Sequence, residues 1–121
     1  MSLAGMQWGR LQVDVDCRLR RGAWYRVKQL ISLNAVLDVN RQLLTVPHYL
    51  IEVVSAPPRR WSVVPRPQNA RVLPRDWGAT YAVCPSCRER AALRGRPRRL
   101  ECVRCHGEFD VAWDEGYLLE A

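Results

Sequence analysis

Four cysteines constrain this chain more than any other feature. Cys84-Pro85-Ser86-Cys87 and Cys102-Val103-Arg104-Cys105 are two C-x-x-C pairs with 14 residues between them. Each pair can form a tight knuckle that aims two sulfurs at one point, and two knuckles complete a tetrahedral tetrathiolate site. The flanking residues fit that geometry. Thr80–Val83 reads as a strand entering the first knuckle, Glu89–Leu93 as one leaving it and Gly95-Arg96-Pro97 as a turn. Arg99–Glu101 then returns to the second knuckle, and Glu108–Trp113 supplies a last strand. The reading is a zinc ribbon over residues 79–113, with one Zn2+ per chain on Cys84, Cys87, Cys102 and Cys105. Its small core is expected from Tyr81, Val83, Leu93, Leu100, Phe109 and Val111.

Iron uses the same four ligands in a rubredoxin-like site, so the metal stays open between zinc and iron. Cys102 to His106 also spells C-x-x-C-H, a haem-attachment pattern, but haem-enclosing apolar residues are scarce nearby. A thioredoxin-like pair would need a βαβ setting, and the pattern here is all strand. Cys17 stands apart, on the apolar side of an alternating segment, and reads as a small buried hydrophobe. His48 reads as a surface or edge histidine, and His106 as a neighbour of the metal and not a ligand.

The segment from Cys84 to Trp113 resembles a short bacterial zinc-ribbon family with the pattern C-P-x-C followed by R-(L/V)-x-C-x-R-C-x-x-x-F-D-V. The residues that carry the likeness are Cys84, Pro85, Cys87, Arg99, Leu100, Cys102, Arg104, Cys105, Phe109, Asp110 and Val111. The resemblance implies a ribbon fold and four cysteine ligands, and it does not specify a function. The glycine that often follows the second cysteine of a knuckle is replaced by Arg88 and by His106.

The first half has a different pattern. Leu11, Val13, Val15, Cys17 and Leu19 alternate with polar residues, which predicts a half-buried strand over 10–20. Tyr25–Ile31, Ala35–Asn40 and Leu43–Val46 follow as further strands, with turns at Ser32–Asn34 and Asn40-Arg41. Pro47 belongs at an edge, since it cannot donate to a sheet ladder. Tyr49, Ile51 and Val53 are expected on one face of the next strand, and Trp61–Val64 as a last one. Short strands without a helical period predict a mostly β protein: a small N-terminal β-barrel, SH3-like, over 8–64, then the ribbon. The proline- and arginine-rich stretch 65–78 reads as a linker, residues 114–121 as an acidic tail, and no internal repeat is apparent.

Charge is polarised along the chain. Residues 57–105 hold twelve Arg against Asp76, Glu89 and Glu101, whereas residues 106–121 hold five acids and no Lys or Arg. A field of this kind attracts nucleic acid or an acidic protein surface. The candidates for phosphate contact are Arg88, Arg90, Arg94, Arg96, Arg98, Arg99 and Arg104, read as lying along one ribbon hairpin. Trp61 and Trp77 are candidates for stacking on unpaired bases.

No nucleophile elbow, phosphate loop or H-E-x-x-H is present, and a site closed by four thiolates offers no position for substrate. The expectation is a non-enzymatic protein without a small-molecule substrate. It would bind nucleic acid alone or within a transcription-type assembly, with a protein adaptor or small subunit of a larger complex as the alternative. No apolar run is long enough to span a bilayer, and five cysteines without an export pattern point to the cytoplasm.

Overall fold

The computed structural model describes residues 5–67 and 73–118 and divides the chain into two units, Met1–Pro58 and Arg59–Ala121. Five strands form the first: β1 (Trp8–Leu11), β2 (Tyr25–Ile31), β3 (Asn34–Val39), β4 (Gln42–Pro47) and β5 (Ile51–Val54). They make one antiparallel sheet in the order β4-β3-β2-β1-β5. The long loop after β1 and the 3-10 turn His48–Leu50 before β5 complete the expected SH3-like arrangement. Leu11, Val27, Ala35, Leu37, Val46 and Ile51 form its core. Gly9 lies among them, where an added Cβ would come within 3.0 Å of Ile51 Cδ1.

The turn chemistry follows the residues. Asn40 and Arg41 both take positive φ, 52° and 69°, and join Val39 to Gln42 as a two-residue hairpin turn of the primed type. The Asp38 carboxylate accepts the Arg41 amide at 2.8 Å and fixes it. Pro47 closes β4 at a sheet edge, as expected.

Three expectations for this unit are corrected. The strand foreseen over 10–20 stops at Leu11, the last residue paired with β5, and residues 12–24 form a loop. Beyond Leu11 the neighbouring chain has already turned into the 3-10 segment, so the alternating residues find no ladder to join. Arg21 instead ties the loop to itself through Asp14 and Asp16. Cys17, expected to be buried, is therefore exposed. Tyr49 falls in the 3-10 turn and not on a strand, and it is 71% exposed.

Arg10 is the unexpected core residue. It is only 2% exposed, lies over the Trp24 ring at 4.4 Å, and pairs with the Glu52 carboxylate at 2.6 Å. Burying an arginine this deeply is tolerated because both its charge and its flat face are matched.

The second unit contains β6 (Arg60–Pro65), β7 (Thr80–Val83), β8 (Arg90–Ala92), β9 (Arg99–Glu101) and β10 (Glu108–Val111), in the order β8-β7-β6-β10-β9. Two hairpins, β7-β8 and β9-β10, flank a central strand that pairs antiparallel with β7 and parallel with β10. That central strand holds the Trp61–Val64 segment expected in the barrel, so the barrel ends before residue 59 and the expected 64/65 boundary is displaced. Trp61 decides it: its indole is fully buried against Ala82, Cys84, Cys102 and Val111.

The described part of the proline-rich stretch, residues 66–67 and 73–79, likewise belongs to this unit, between β6 and β7, and holds a 3-10 turn at Arg75–Trp77. The Arg66 amide extends the ladder to the Ala79 carbonyl, and its guanidinium holds the carbonyls of Leu73 and Pro74. Residues 68–72 of the expected linker lie outside the described residues. The last strand ends at Val111, two residues earlier than expected. The start of the expected acidic tail folds back, with Asp114 on Arg60 at 2.7 Å and Tyr117 buried. Residues 119–121 lie outside the described residues.

Candidate metal centre

The two hairpins each carry one knuckle, and the knuckles are built alike. In the first, the Cys84 amide donates to the Glu89 carbonyl at 2.8 Å and the Arg88 amide to the Cys84 carbonyl at 3.1 Å. In the second, the Cys102 amide donates to the Gly107 carbonyl and the His106 amide to the Cys102 carbonyl, both at 2.8 Å. Every partner is offset by 18 residues. The structure thus contains a repeat that the sequence reading missed, because outside the cysteines the paired positions differ in residue type. Arg88 and His106 both adopt positive φ, 68° and 64°, directly after the second cysteine of each knuckle, a conformation that favours glycine. A β-carbon there costs roughly 1 kcal/mol per site.

All four Sγ atoms lie within 4.8 Å of one another, with Cys84 and Cys105 at 3.7 Å and Cys87 and Cys102 at 3.5 Å. A tetrahedron with metal–sulfur bonds of about 2.3 Å has edges of about 3.8 Å, so the four thiols could hold one metal ion. Backbone amides complete the cradle, among them Ser86 N–H directed at Cys84 Sγ at 3.4 Å. Burial pushes the Cys84 thiol up to about 12. Cys102 is also desolvated, but the amides of Cys105 and Arg104 bring it down to about 7. Cys84 and Cys102 are buried, Cys87 is half-buried and Cys105 is exposed, so the centre has a dry side and an open rim.

The dry side is lined by one face of the sheet: Ala82, Ala91, Leu93, Trp61, Val63, Val111, Phe109 and Leu100. Tyr81 and Val83, expected to share that core, are buried but alternate with Ala82 and belong to the opposite face. The Trp61 indole N–H donates to the Leu100 carbonyl at 3.0 Å and ties the central strand to the second hairpin. Trp61 is thus a structural residue of this centre and cannot stack on a base. The visible clue was the strand-like segment Trp61–Val64. A ribbon of three- and four-residue strands buries too little to stand without another strand.

The arginines are not arranged as expected. β8 and β9 do not form a hairpin with each other but lie at opposite edges of the sheet, four strand spacings or about 19 Å apart. Arg90 is on one edge and Arg99 on the other. Arg99 is held by Glu108 at 3.0 Å and Asp110 at 2.8 Å, and Arg94 by Asp76 at 2.9 Å. Arg96 lies over the Trp113 ring at 4.7 Å. Arg98 and Arg104 are exposed, and their side chains meet no partner among the described residues. Arg88 follows the first knuckle. His106 sits on the rim, with Nδ1 3.8 Å from Glu101, and is not a ligand.

Among the described residues no helix is long and apolar enough to cross a membrane. No family model, curated protein or solved structure matches this chain.

Proposed function

We propose that this chain is a non-enzymatic zinc-ribbon protein of the short bacterial type, whose second unit binds nucleic acid through its phosphates. Four converging thiolates favour zinc in a saturated structural site, which leaves no open position for catalysis. The observation that carries the nucleic-acid reading is the loop joining β8 to β9. It runs from one sheet edge to the other and exposes Arg94, Arg96 and Arg98. Arg96 and Arg98 stay outside every ion pair among the described residues. Cations held this way neutralise phosphates without breaking internal pairs, and they carry no base code. The partner is then nucleic acid met alone or within a transcription-type assembly in the cytoplasm. The test is binding of mixed-sequence nucleic acid by the zinc-loaded chain across a salt series. The expected result is an affinity that falls steeply with salt; no binding at low salt refutes the reading.

One observation favours the adaptor alternative. The barrel presents a groove of about 600 Å3 lined by Gln12, Leu33, Pro47, His48, Tyr49 and Ile51. Leu33 is 80% exposed beside it. Leu33 and Tyr49, large apolar side chains left in solvent on this groove, are what a protein partner would cover. A pull-down with and without nuclease separates the two, since only a protein interface survives digestion.

A further inference from the structure

The β8–β9 loop is pinned, not slack. Arg94 donates to the Asp76 carbonyl at 3.1 Å and pairs with its carboxylate at 2.9 Å. The Pro97 carbonyl accepts the Trp113 indole N–H at 2.7 Å, and the Arg98 carbonyl accepts the Val111 amide at 2.8 Å. Between these anchors Arg96 is laid over the face of Trp113, with Cζ 4.7 Å from the ring centre. Arg96 is exposed and has no other partner among the described residues, so the stack ends on a guanidinium that faces outward. Trp77 follows Asp76 immediately, which places a second half-buried indole at the Arg94 end of the loop.

A guanidinium is flat, delocalised and weakly hydrated, so its free face takes an aromatic base as a further layer. Arg98 follows Arg96 at a two-residue step, at most about 7 Å along the chain, and supplies a cation outside the ion pairs beside the stack. Among the described residues the fold offers a duplex its phosphate contacts but no element that reads a groove. No helix is available to enter a groove among the described residues, and the two-stranded arginine ribbon is ruled out by the separation of β8 and β9. Bases inside a duplex are already stacked and cannot reach such a platform.

We propose that Arg96 on Trp113, flanked by Arg98, is a stacking platform for an unpaired base of single-stranded nucleic acid. This rests on the nucleic-acid reading above and narrows it to one substrate class. The test uses the full zinc-loaded chain with a fluorescent mixed-sequence single strand and the corresponding duplex, followed by anisotropy at low and physiological salt. The single strand is expected to bind about tenfold more tightly than the duplex, in the range that one stacked base supplies. Arg96→Lys keeps the charge and loses the plane. It should lose about five- to hundred-fold for the single strand while leaving duplex binding and the salt slope nearly unchanged. Zinc content identical to the parent chain verifies that the variant is folded. Equal binding of strand and duplex, or an Arg96→Lys variant that binds the single strand as the parent does, overturns the platform and leaves phosphate binding standing. Failure of the parent chain to bind either form overturns both.

Discussion

Replacing Trp61 tests whether the central strand belongs to the metal centre. The indole is 0% exposed, touches the core around Cys84 and Cys102, and donates to the Leu100 carbonyl at 3.0 Å. Trp61→Phe keeps an aromatic ring but loses that hydrogen bond, a loss of about 0.5–1.5 kcal/mol, since the Leu100 carbonyl keeps its ladder partner Phe109. Trp61→Ala adds a cavity and should cost about 3–5 kcal/mol. Metal binding and folding of this unit draw on the same free energy, so the loss should appear as weaker metal affinity. At about 1.4 kcal/mol per tenfold, Trp61→Phe should bind zinc about 2- to 12-fold more weakly, and Trp61→Ala a further tenfold or more. The assay is competition with a chromophoric chelator, repeated with cobalt so that the thiolate charge-transfer band reports the ligand set. A Trp61→Ala protein that holds zinc within about twofold of the parent would refute the reasoning, because that spread is below 0.5 kcal/mol.

Three further outcomes follow from the same geometry. Chelation or Cys102→Ser should broaden the amide resonances of residues 59–67 along with those of 73–118, while residues 8–54 stay dispersed; broadening confined to 79–113 would be the contrary result. Zinc affinity should rise with pH between 6 and 8. Cys84, pushed up to about 12, must give up a proton throughout that window, whereas the contribution of Cys102, near 7, fades in its upper half. A pH-independent affinity would contradict this assignment. Arg88→Gly should stabilise the zinc-loaded unit by up to about 1 kcal/mol, since φ is 68° there, and thermal unfolding is the measurement.

Parts of this architecture were legible because they depend on local chemistry. The four cysteines, the Asn40-Arg41 turn and Pro47 at an edge each carry their geometry in one to four residues. Other parts depend on what lies across the sheet. Val13, Val15 and Cys17 alternate as well as any strand, yet after Leu11 no neighbour remains to pair with them. Trp61–Val64 reads correctly as a strand but joins a partner on the far side of the proline-rich stretch, which local pattern does not encode. The placement of the arginines on one hairpin was misread for the same reason: adjacency in sequence suggested a hairpin, and β6, β7 and β10 stand between its two halves.

The parallel register of Val111 with Trp61 has a consequence for the order of folding. These residues are 50 positions apart, whereas Cys84 and Cys102 are 18 apart. Loop-closure entropy alone makes the longer contact harder to form by about 0.9 kcal/mol, and contacts distant along the chain slow folding. The β6–β7 pairing brings Pro65 to Thr80, only 15 positions away. A metal ion gripping both knuckles would join Cys84 to Cys102, 18 apart, so both loops would close before β10 meets β6. The second hairpin would then dock on a central strand already paired with the first. In this scheme metal sets the rate of folding as well as its end point, and adding zinc to a refolding chain early or late would give different kinetics at the same final stability.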